Sequence, residues 1–171
     1  MSSKIIAGFY LLIVGICIGG IIVLDIVETT IFNIDLIFRN NDYTSTLITK
    51  YDQGIILSDI VIKFGYILIG GGIFILLYET LSYMLQKSNF FVWILNILNV
   101  ILMFLFGFLY APGIVKMFAQ EPKIMAIPNS ESFLNQSEVI LEFLCVTLIV
   151  AFFLRIILIN KAMKPTIQNK Q

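Results

Sequence analysis

Four long apolar runs, separated by polar segments, constrain the fold of this 171-residue chain more than any other feature. They cover approximately residues 5–27, 60–78, 90–111 and 139–159. A helix needs about 20 apolar residues to cross the roughly 30 Å hydrocarbon layer, where backbone groups bond only to each other. Only 13% of the residues are charged, whereas soluble domains have about 25%. The sequence therefore predicts an all-α integral membrane protein with four transmembrane helices in an antiparallel bundle.

The segments between the runs predict one transmembrane domain over residues 1–171. Residues 79–89 are too few for more than a turn, so the second and third helices form a hairpin. Residues 28–59 and 112–138 are expected to form two long loops on the opposite side, with a polar surface loop from Pro122 to Gln136. The third helix is expected to end at Pro112-Gly113, because proline disfavours helix in the residue before it. The first run lacks a small-x-small exit, so we expect it to be retained rather than cleaved.

Lysine and arginine residues near the ends of the runs indicate the orientation, because positively charged loops tend to remain in the cytoplasm. One side has six of these residues and the other has five. The larger group is Lys4, Lys87, Arg155, Lys161, Lys164 and Lys170, and the smaller is Arg39, Lys50, Lys63, Lys116 and Lys123. We therefore expect both termini to be cytoplasmic. Arg155 is interpreted as a side chain that reaches anionic headgroups from the inner end of the fourth helix.

Composition excludes several classes of function. The chain has no histidine, which removes histidine-ligated haem, zinc hydrolase centres and histidine-based catalytic triads. A net charge of zero and the absence of a basic tract argue against nucleic acid as a partner. Cys17 and Cys145 lie within predicted spans, where thiols behave as small hydrophobic groups. We expect no cofactor, no bound metal and no enzymatic activity.

Glycine is concentrated in two helices. Gly15 and Gly19 form a small-xxx-small motif in the first helix, and Gly8 lies on the same stripe. Such a stripe lets a second backbone approach closely, either from another helix of the same chain, which we favour, or from a second copy of the protein. Gly70, Gly71 and Gly72 are interpreted as a similar packing surface in the second helix.

Polar residues within or beside the spans are candidates for a polar or ion-binding site, because ionisable groups in a membrane are costly and usually face the bundle interior. Several are three or four residues apart and so share a helix face. The alternative for the acids is a solvated ring at the interface, and for the asparagines a hydrogen bond between helices. The candidate set is Asp25, Glu28, Asp59, Lys63, Asn96, Asn99, Glu138 and Glu142, in which Asp59 and Lys63 are expected to pair with each other.

Several short motifs resemble a family of small bacterial inner-membrane proteins, domain of unknown function 4149, which is related to transmembrane protein 205. The resemblance spans most of the chain. Its carriers are YLLIVGICIG at 10–19, IFN at 31–33, DQGIILSDI at 52–60, YAP at 110–112 and NQSE at 135–138. It implies a four-helix inner-membrane protein and supplies no activity.

Two functions follow as expectations. The first is a non-enzymatic inner-membrane protein that acts as an accessory or scaffold subunit or as a homo-oligomer, with the lipid bilayer and another membrane protein as partners. The second is a small transporter or ion-handling protein that uses the outer-half carboxylates. A membrane enzyme is third, since paired carboxylates occur without any recognisable substrate motif.

Overall fold

The computed structural model describes residues 2–32, 50–119 and 128–163, and every regular element in these ranges is helical. Helix α1 is Ser2–Phe32, α2 is Lys50–Met84 and α4 is Pro128–Met163. Helix α3 runs from Phe90 to Ala119 in three continuous segments. Each helix contains a segment long and apolar enough to cross a membrane: Ile5–Ile31, Asp52–Met84, Phe90–Ala119 and Ser132–Lys161. The protein is thus a candidate multi-pass membrane protein with four spans.

The helices are longer than the apolar runs. Helix α2 begins at Lys50 and α4 at Pro128, well before the predicted starts at 60 and 139. A helix satisfies its own backbone hydrogen bonds on either side of the membrane boundary, and proline is well tolerated in the first helical turn. The expectation of a surface loop through Gln136 is therefore wrong from Pro128 onward. The two predicted loops also include residues 33–49 and 120–127. These two segments lie outside the described residues.

The predicted end of the third helix at Pro112-Gly113 is also wrong. Residues Phe106–Tyr110 form a π-helical turn, and an α-helix continues from Ala111 through Pro112 to Ala119. The backbone N–H of Ala111 bonds to the carbonyl of Phe106, five residues earlier. A wider turn gives the proline ring room against the preceding turn, which an ordinary α-helix lacks. The helix therefore passes through the proline instead of ending at it.

Helices α1 and α4 each bury a stripe of residues at alternating spacings of four and three. In α1 these are Tyr10, Val14, Cys17, Ile21 and Leu24. In α4 they are Ser137, Leu141, Leu144, Leu148, Ala151 and Arg155. This is the heptad spacing of helices that pack side by side at a shallow angle. Polar residues thus occupy stripe positions at the ends of a stripe that is otherwise apolar.

The contacts between helices define the arrangement. Helices α2 and α4 each pack against both α1 and α3. Tyr10, near the start of α1, contacts Tyr78 near the end of α2 and Asn96 near the start of α3, so neighbouring helices run in opposite directions. We call the end with the α2–α3 turn, residues 85–89, the hairpin end. The opposite end, which holds Asp25, Glu28, Glu138 and Glu142, is called the acidic end.

Candidate functional site

The eight predicted site residues separate into three places. Asp25, Glu28, Glu138 and Glu142 line one cavity at the acidic end. Asp59 and Lys63 form an isolated surface pair on α2. Asn96 and Asn99 lie in the core, towards the hairpin end. The eight candidates therefore do not form one site among the described residues.

The cavity at the acidic end, which we call the acidic cavity, lies between α1 and α4 and has a volume of about 150 Å³. Its floor is apolar, with Leu24, Val61 and Phe106 among the lining residues. The carboxyl group of Glu28 interacts electrostatically with those of Asp25 and Glu138. None of the described residues that line the cavity is basic. Its negative charge is therefore uncompensated by the side chains around it.

The acidic cavity does not resemble a metal centre. Among the described residues, no three acidic or cysteine side chains are arranged to hold a metal ion. Calcium and magnesium need several oxygen ligands close to the ion. Three of the four carboxylates, those of Asp25, Glu138 and Glu142, are on exposed residues, and that of Glu28 is half-buried. The arrangement is a negatively charged rim above an apolar floor.

Asp59 and Lys63 form the predicted ion pair, with 2.6 Å between Oδ2 and Nζ. Their side chains are 61% and 70% exposed, so the pair lies on the outer face of α2. The two charges neutralise each other locally, one helical turn apart. The pair belongs to the surface of the bundle and not to a site within it.

A buried polar centre at the hairpin end was absent from the predicted site. Glu79 and Arg155 are 0% and 3% exposed, although Arg155 was expected to reach the headgroups. The expectation fails because Arg155 occupies a position of the buried stripe of α4, which directs its side chain between the helices. There Arg155 Nη2 donates to Tyr78 Oη and to Ser82 Oγ, both at 2.6 Å. We call Glu79, Arg155 and the polar residues that they contact the buried centre.

The guanidinium of Arg155 lies against the rings of two tyrosines. Its Cζ lies 4.7 Å from the ring centroid of Tyr78 and 5.7 Å from that of Tyr10. The two rings stack on each other with centroids 4.4 Å apart. A cation near the face of an aromatic ring is attracted by its quadrupole, by about 2 kcal/mol or more when it is desolvated. Arg155 therefore has a favourable site that does not depend on a carboxylate.

Asn96 connects α3 to this centre. Tyr10 Oη donates to Asn96 Oδ1 at 3.0 Å, and the Asn96 amide donates back to the carbonyl of Val92. The side chain of Asn96 is thus used in a hydrogen bond between helices, as expected for a buried asparagine in a bundle. One turn deeper, the Asn99 amide lies 3.5 Å from the carbonyl of Thr147, and its Oδ1 atom has no partner.

The turn between α2 and α3 positions the remaining member of the centre. Helix α2 ends in a Schellman motif, in which Lys87 N–H bonds to the Ser82 carbonyl and Gln86 N–H to the Tyr83 carbonyl. Gln86 takes the left-handed conformation that this motif requires, with φ of 55°. The chain then turns back so that Ser88 Oγ donates to Glu79 Oε2 at 3.1 Å.

The glycines separate into those that pack within the chain and those that do not. A methyl group on Gly107 would approach Ile69 Cγ1 to 2.6 Å and the carbonyl oxygen of Gly65 to 3.0 Å, so α2 and α3 meet closely there. Gly71 and Gly72 likewise face neighbouring side chains. By contrast, Gly8, Gly15, Gly19 and Gly70 have no atom within 4 Å of an added methyl group. The favoured prediction gave the α1 glycines a packing partner within the chain, and the described residues supply none.

Comparisons of the chain with protein-family models, with curated proteins and with solved structures return no match. The resemblance to domain of unknown function 4149 stays a prediction. The site must be interpreted from its own geometry.

Proposed function

We propose that this chain is a non-enzymatic membrane protein that associates with a second copy of itself through α1. The observation that carries the proposal is the position of Gly8, Gly15 and Gly19. At 100° per residue these glycines lie on the side of α1 opposite its buried stripe. We call this face, which also includes Leu12, the α1 glycine stripe.

The unfavourable helix propensity of glycine supports a partner outside the chain for this stripe. Glycine in a helix interior is about 1 kcal/mol less favourable than alanine, so three exposed glycines are a cost to α1. The described part of the chain offers no compensating contact, because a methyl group added at any of these positions would have none of its atoms within 4 Å. In lipid, small residues let two helix backbones approach closely enough for extensive van der Waals contact. A second α1 packed on the stripe would supply that contact.

Cysteine cross-linking in native membranes tests the proposal. In a chain with Cys17→Ala and Cys145→Ala, the variants Gly15→Cys and Gly19→Cys are expected to form disulfide-linked dimers on mild oxidation. Ile16→Cys is the matched control, because Ile16 is also exposed, at 51%, and at the same depth but off the stripe. Equal cross-linking at positions 15 and 16, or none at 15 and 19, would contradict self-association through this face.

The proposal includes a location in a bacterial inner membrane with both termini in the cytoplasm. Arg155 is buried and Lys63 is paired with Asp59, so neither supplies a free positive charge to a loop. The remaining Lys and Arg residues favour the hairpin end as cytoplasmic by five to four. Labelling of Lys87→Cys and Lys116→Cys with an impermeant thiol reagent in intact cells tests the orientation. Reaction at 116 and protection at 87 are expected, and the reverse pattern would invert the orientation.

The acidic cavity favours a second candidate function, the binding and handling of an organic cation. Four carboxylates and an apolar floor meet in one cavity, and a buried cavity of about 150 Å³ is known to hold a ring the size of benzene. The ligand that suits both features is a small ammonium ion with an apolar body. Phe106 in the floor offers its ring to such a cation. An inorganic ion would need a closer set of oxygen ligands.

Binding of tetraethylammonium to the purified protein, followed calorimetrically, tests this candidate. Glu28→Gln is expected to weaken binding severalfold, because Glu28 is the most buried of the four acids. Asp59→Asn is the matched control, since Asp59 does not line the cavity. No saturable binding by the wild type, or equal loss in both variants, would reject the cavity as a cation site. Tighter binding of Ca²⁺ than of tetraethylammonium would reject the organic class.

A further inference from the structure

The hydrogen bonding of the buried centre is incomplete around Glu79. Among the described residues, its Oε2 atom accepts one hydrogen bond, from Ser88, and its Oε1 atom has no hydrogen-bond partner. The guanidinium is close, but Arg155 Nη1 lies 3.7 Å from Oε2, beyond hydrogen-bonding distance. An ionised carboxylate accepts several hydrogen bonds when its pairing is complete. Glu79 at 0% exposure has a single one.

Arg155 does not correct this deficit. It gives its short hydrogen bonds to Tyr78 and Ser82, and its Nε and Nη1 atoms have no hydrogen-bond partner in the described part of the chain. Its charge is stabilised by the two tyrosine rings. The cation is thus held mainly by neutral groups, and its position does not require that Glu79 be charged.

The Tyr10 hydroxyl also faces the Glu79 carboxyl group. Because its proton is directed to Asn96 Oδ1, the lone pairs of its oxygen remain free to accept a hydrogen bond. A protonated Glu79 can fill that role, which gives a chain from the Glu79 carboxyl through Tyr10 Oη to Asn96 Oδ1. When Glu79 is ionised, the same hydroxyl can rotate and donate to the carboxylate instead.

We propose that Glu79 is a proton-binding site, with Tyr10 as the hydroxyl switch that follows the proton. The step is the uptake of one proton by the carboxylate, which forms the neutral acid, and its release reverses it. The proton comes from water at the hairpin end, where Ser88 of the turn contacts the Glu79 carboxyl group. This inference is independent of the association through α1 and of the acidic cavity.

Described residues from all four helices and from the α2–α3 turn surround Glu79 or connect to it. Helix α1 contributes Tyr10, α4 contributes Arg155, and the turn contributes Ser88. Tyr78 is the adjacent residue of α2, and Asn96 of α3 is reached through Tyr10. Arg155 favours the ionised form by its charge, whereas burial without sufficient donors favours the neutral form.

Infrared spectroscopy of the full chain in lipid nanodiscs tests the proposal. The difference spectrum between wild type and Glu79→Gln is expected to contain a protonated-carboxyl C=O band that grows reversibly as the pH falls. Glu142→Gln is the matched control, because Glu142 is an exposed acid at the other end, and it should leave this band in place. Absence of a Glu79 band at every pH at which the protein stays folded would overturn the proposal.

A second variant covers the case in which Glu79→Gln does not fold. Tyr10→Phe keeps the ring but removes the oxygen that accepts from the neutral acid. It is expected to move the titrating C=O band to higher frequency, because the O–H of the neutral acid then donates one hydrogen bond fewer. A wild-type spectrum without a titrating buried-carboxyl band, or a band unmoved by Tyr10→Phe, would exclude the switch.

Discussion

Arg155 Nη1 lies 3.7 Å from Glu79 Oε2, yet the two short hydrogen bonds of this arginine go to Tyr78 and Ser82. The buried pair is therefore a contact between opposite charges without a hydrogen bond between them. The two residues are unequal partners, because the arginine has other stabilising neighbours and the glutamate has few.

Because Arg155 has more stabilising neighbours than Glu79, removal of the two charges is expected to change the stability by different amounts. Arg155→Gln leaves a buried carboxylate with one hydrogen bond and is expected to destabilise the protein by about 3–5 kcal/mol. Glu79→Gln leaves a cation that keeps its tyrosine rings and both hydrogen bonds, so the loss is expected to be smaller. The difference should be measured by reversible unfolding in mixed detergent micelles, with exposed Lys161→Gln as the control. An equal or larger loss in Glu79→Gln would contradict the inequality.

The same variant has an expected pH dependence. Without Arg155, none of the described groups that interact with the Glu79 carboxyl carries a positive charge, and its ionisation within the bundle is costly. The destabilisation by Arg155→Gln is therefore expected to grow as the pH rises and to shrink as the pH falls. Unfolding curves of Arg155→Gln should be measured at several pH values and compared with those of the double variant Arg155→Gln/Glu79→Gln. The double variant lacks the titrating carboxyl group, so its stability should not show this pH dependence. A loss in Arg155→Gln that is independent of pH would be inconsistent with a titrating Glu79.

Tyr10 has two roles that substitutions can separate. Tyr10→Phe removes the hydrogen bond to Asn96 but keeps the ring against Tyr78 and Arg155, so a loss of about 0.6 kcal/mol is expected. Tyr10→Leu also removes both ring contacts and is expected to cost several times more. Tyr66→Phe, at a position that is 67% exposed, is the control for loss of a hydroxyl. Equal stabilities of Tyr10→Phe and Tyr10→Leu would show that the ring contributes nothing.

Replacement of glycine by alanine is expected to have opposite effects on stability at positions 107 and 15. Gly107→Ala is expected to destabilise the protein, since its methyl group would meet Ile69 and the backbone of Gly65. Gly15→Ala has open space and is expected to stabilise the monomer by up to about 1 kcal/mol. Both should be compared by unfolding in detergent at a dilution at which wild type is monomeric. A destabilised monomer in Gly15→Ala would mean that position 15 packs within the chain.

Gln86 holds a left-handed conformation that suits glycine better than a residue with a side chain. Gln86→Gly is therefore expected to raise the stability by roughly 1 kcal/mol, the cost of that conformation for an L-residue. Lys87→Gly, at the next position, is the matched control and should not raise it. A lower stability for Gln86→Gly than for Lys87→Gly would argue against the Schellman motif at the end of α2.

The class of fold was accessible from the sequence because length and hydropathy alone identify four candidate spans. The full lengths of α2 and α4 could not be predicted from the sequence, because hydropathy shows where a helix is apolar and not where its backbone hydrogen bonds end. The predicted pair of Asp59 and Lys63 is confirmed, because a helix fixes the spacing of residues four apart.

The buried centre was missed for a physical reason. In a membrane helix both the buried and the outward faces are apolar, so periodicity does not reveal which side faces the core. Arg155 shares its register with Leu144, Leu148 and Ala151, but that register is visible only once the buried stripe is known. One signal was available. Glu79 and Arg155 are opposite charges at the same end of two spans, and charges within spans usually pair.

The most direct test of the central claim is native mass spectrometry of the intact assembly, released gently from its membrane, for wild type and Gly15→Leu. Gly15→Leu should leave the monomer folded, because the added side chain enters open space. We predict an even-numbered assembly of this chain alone in wild type and monomer in the variant. Monomer in both, or a stoichiometric foreign subunit that Gly15→Leu leaves in place, would contradict association through the α1 glycine stripe.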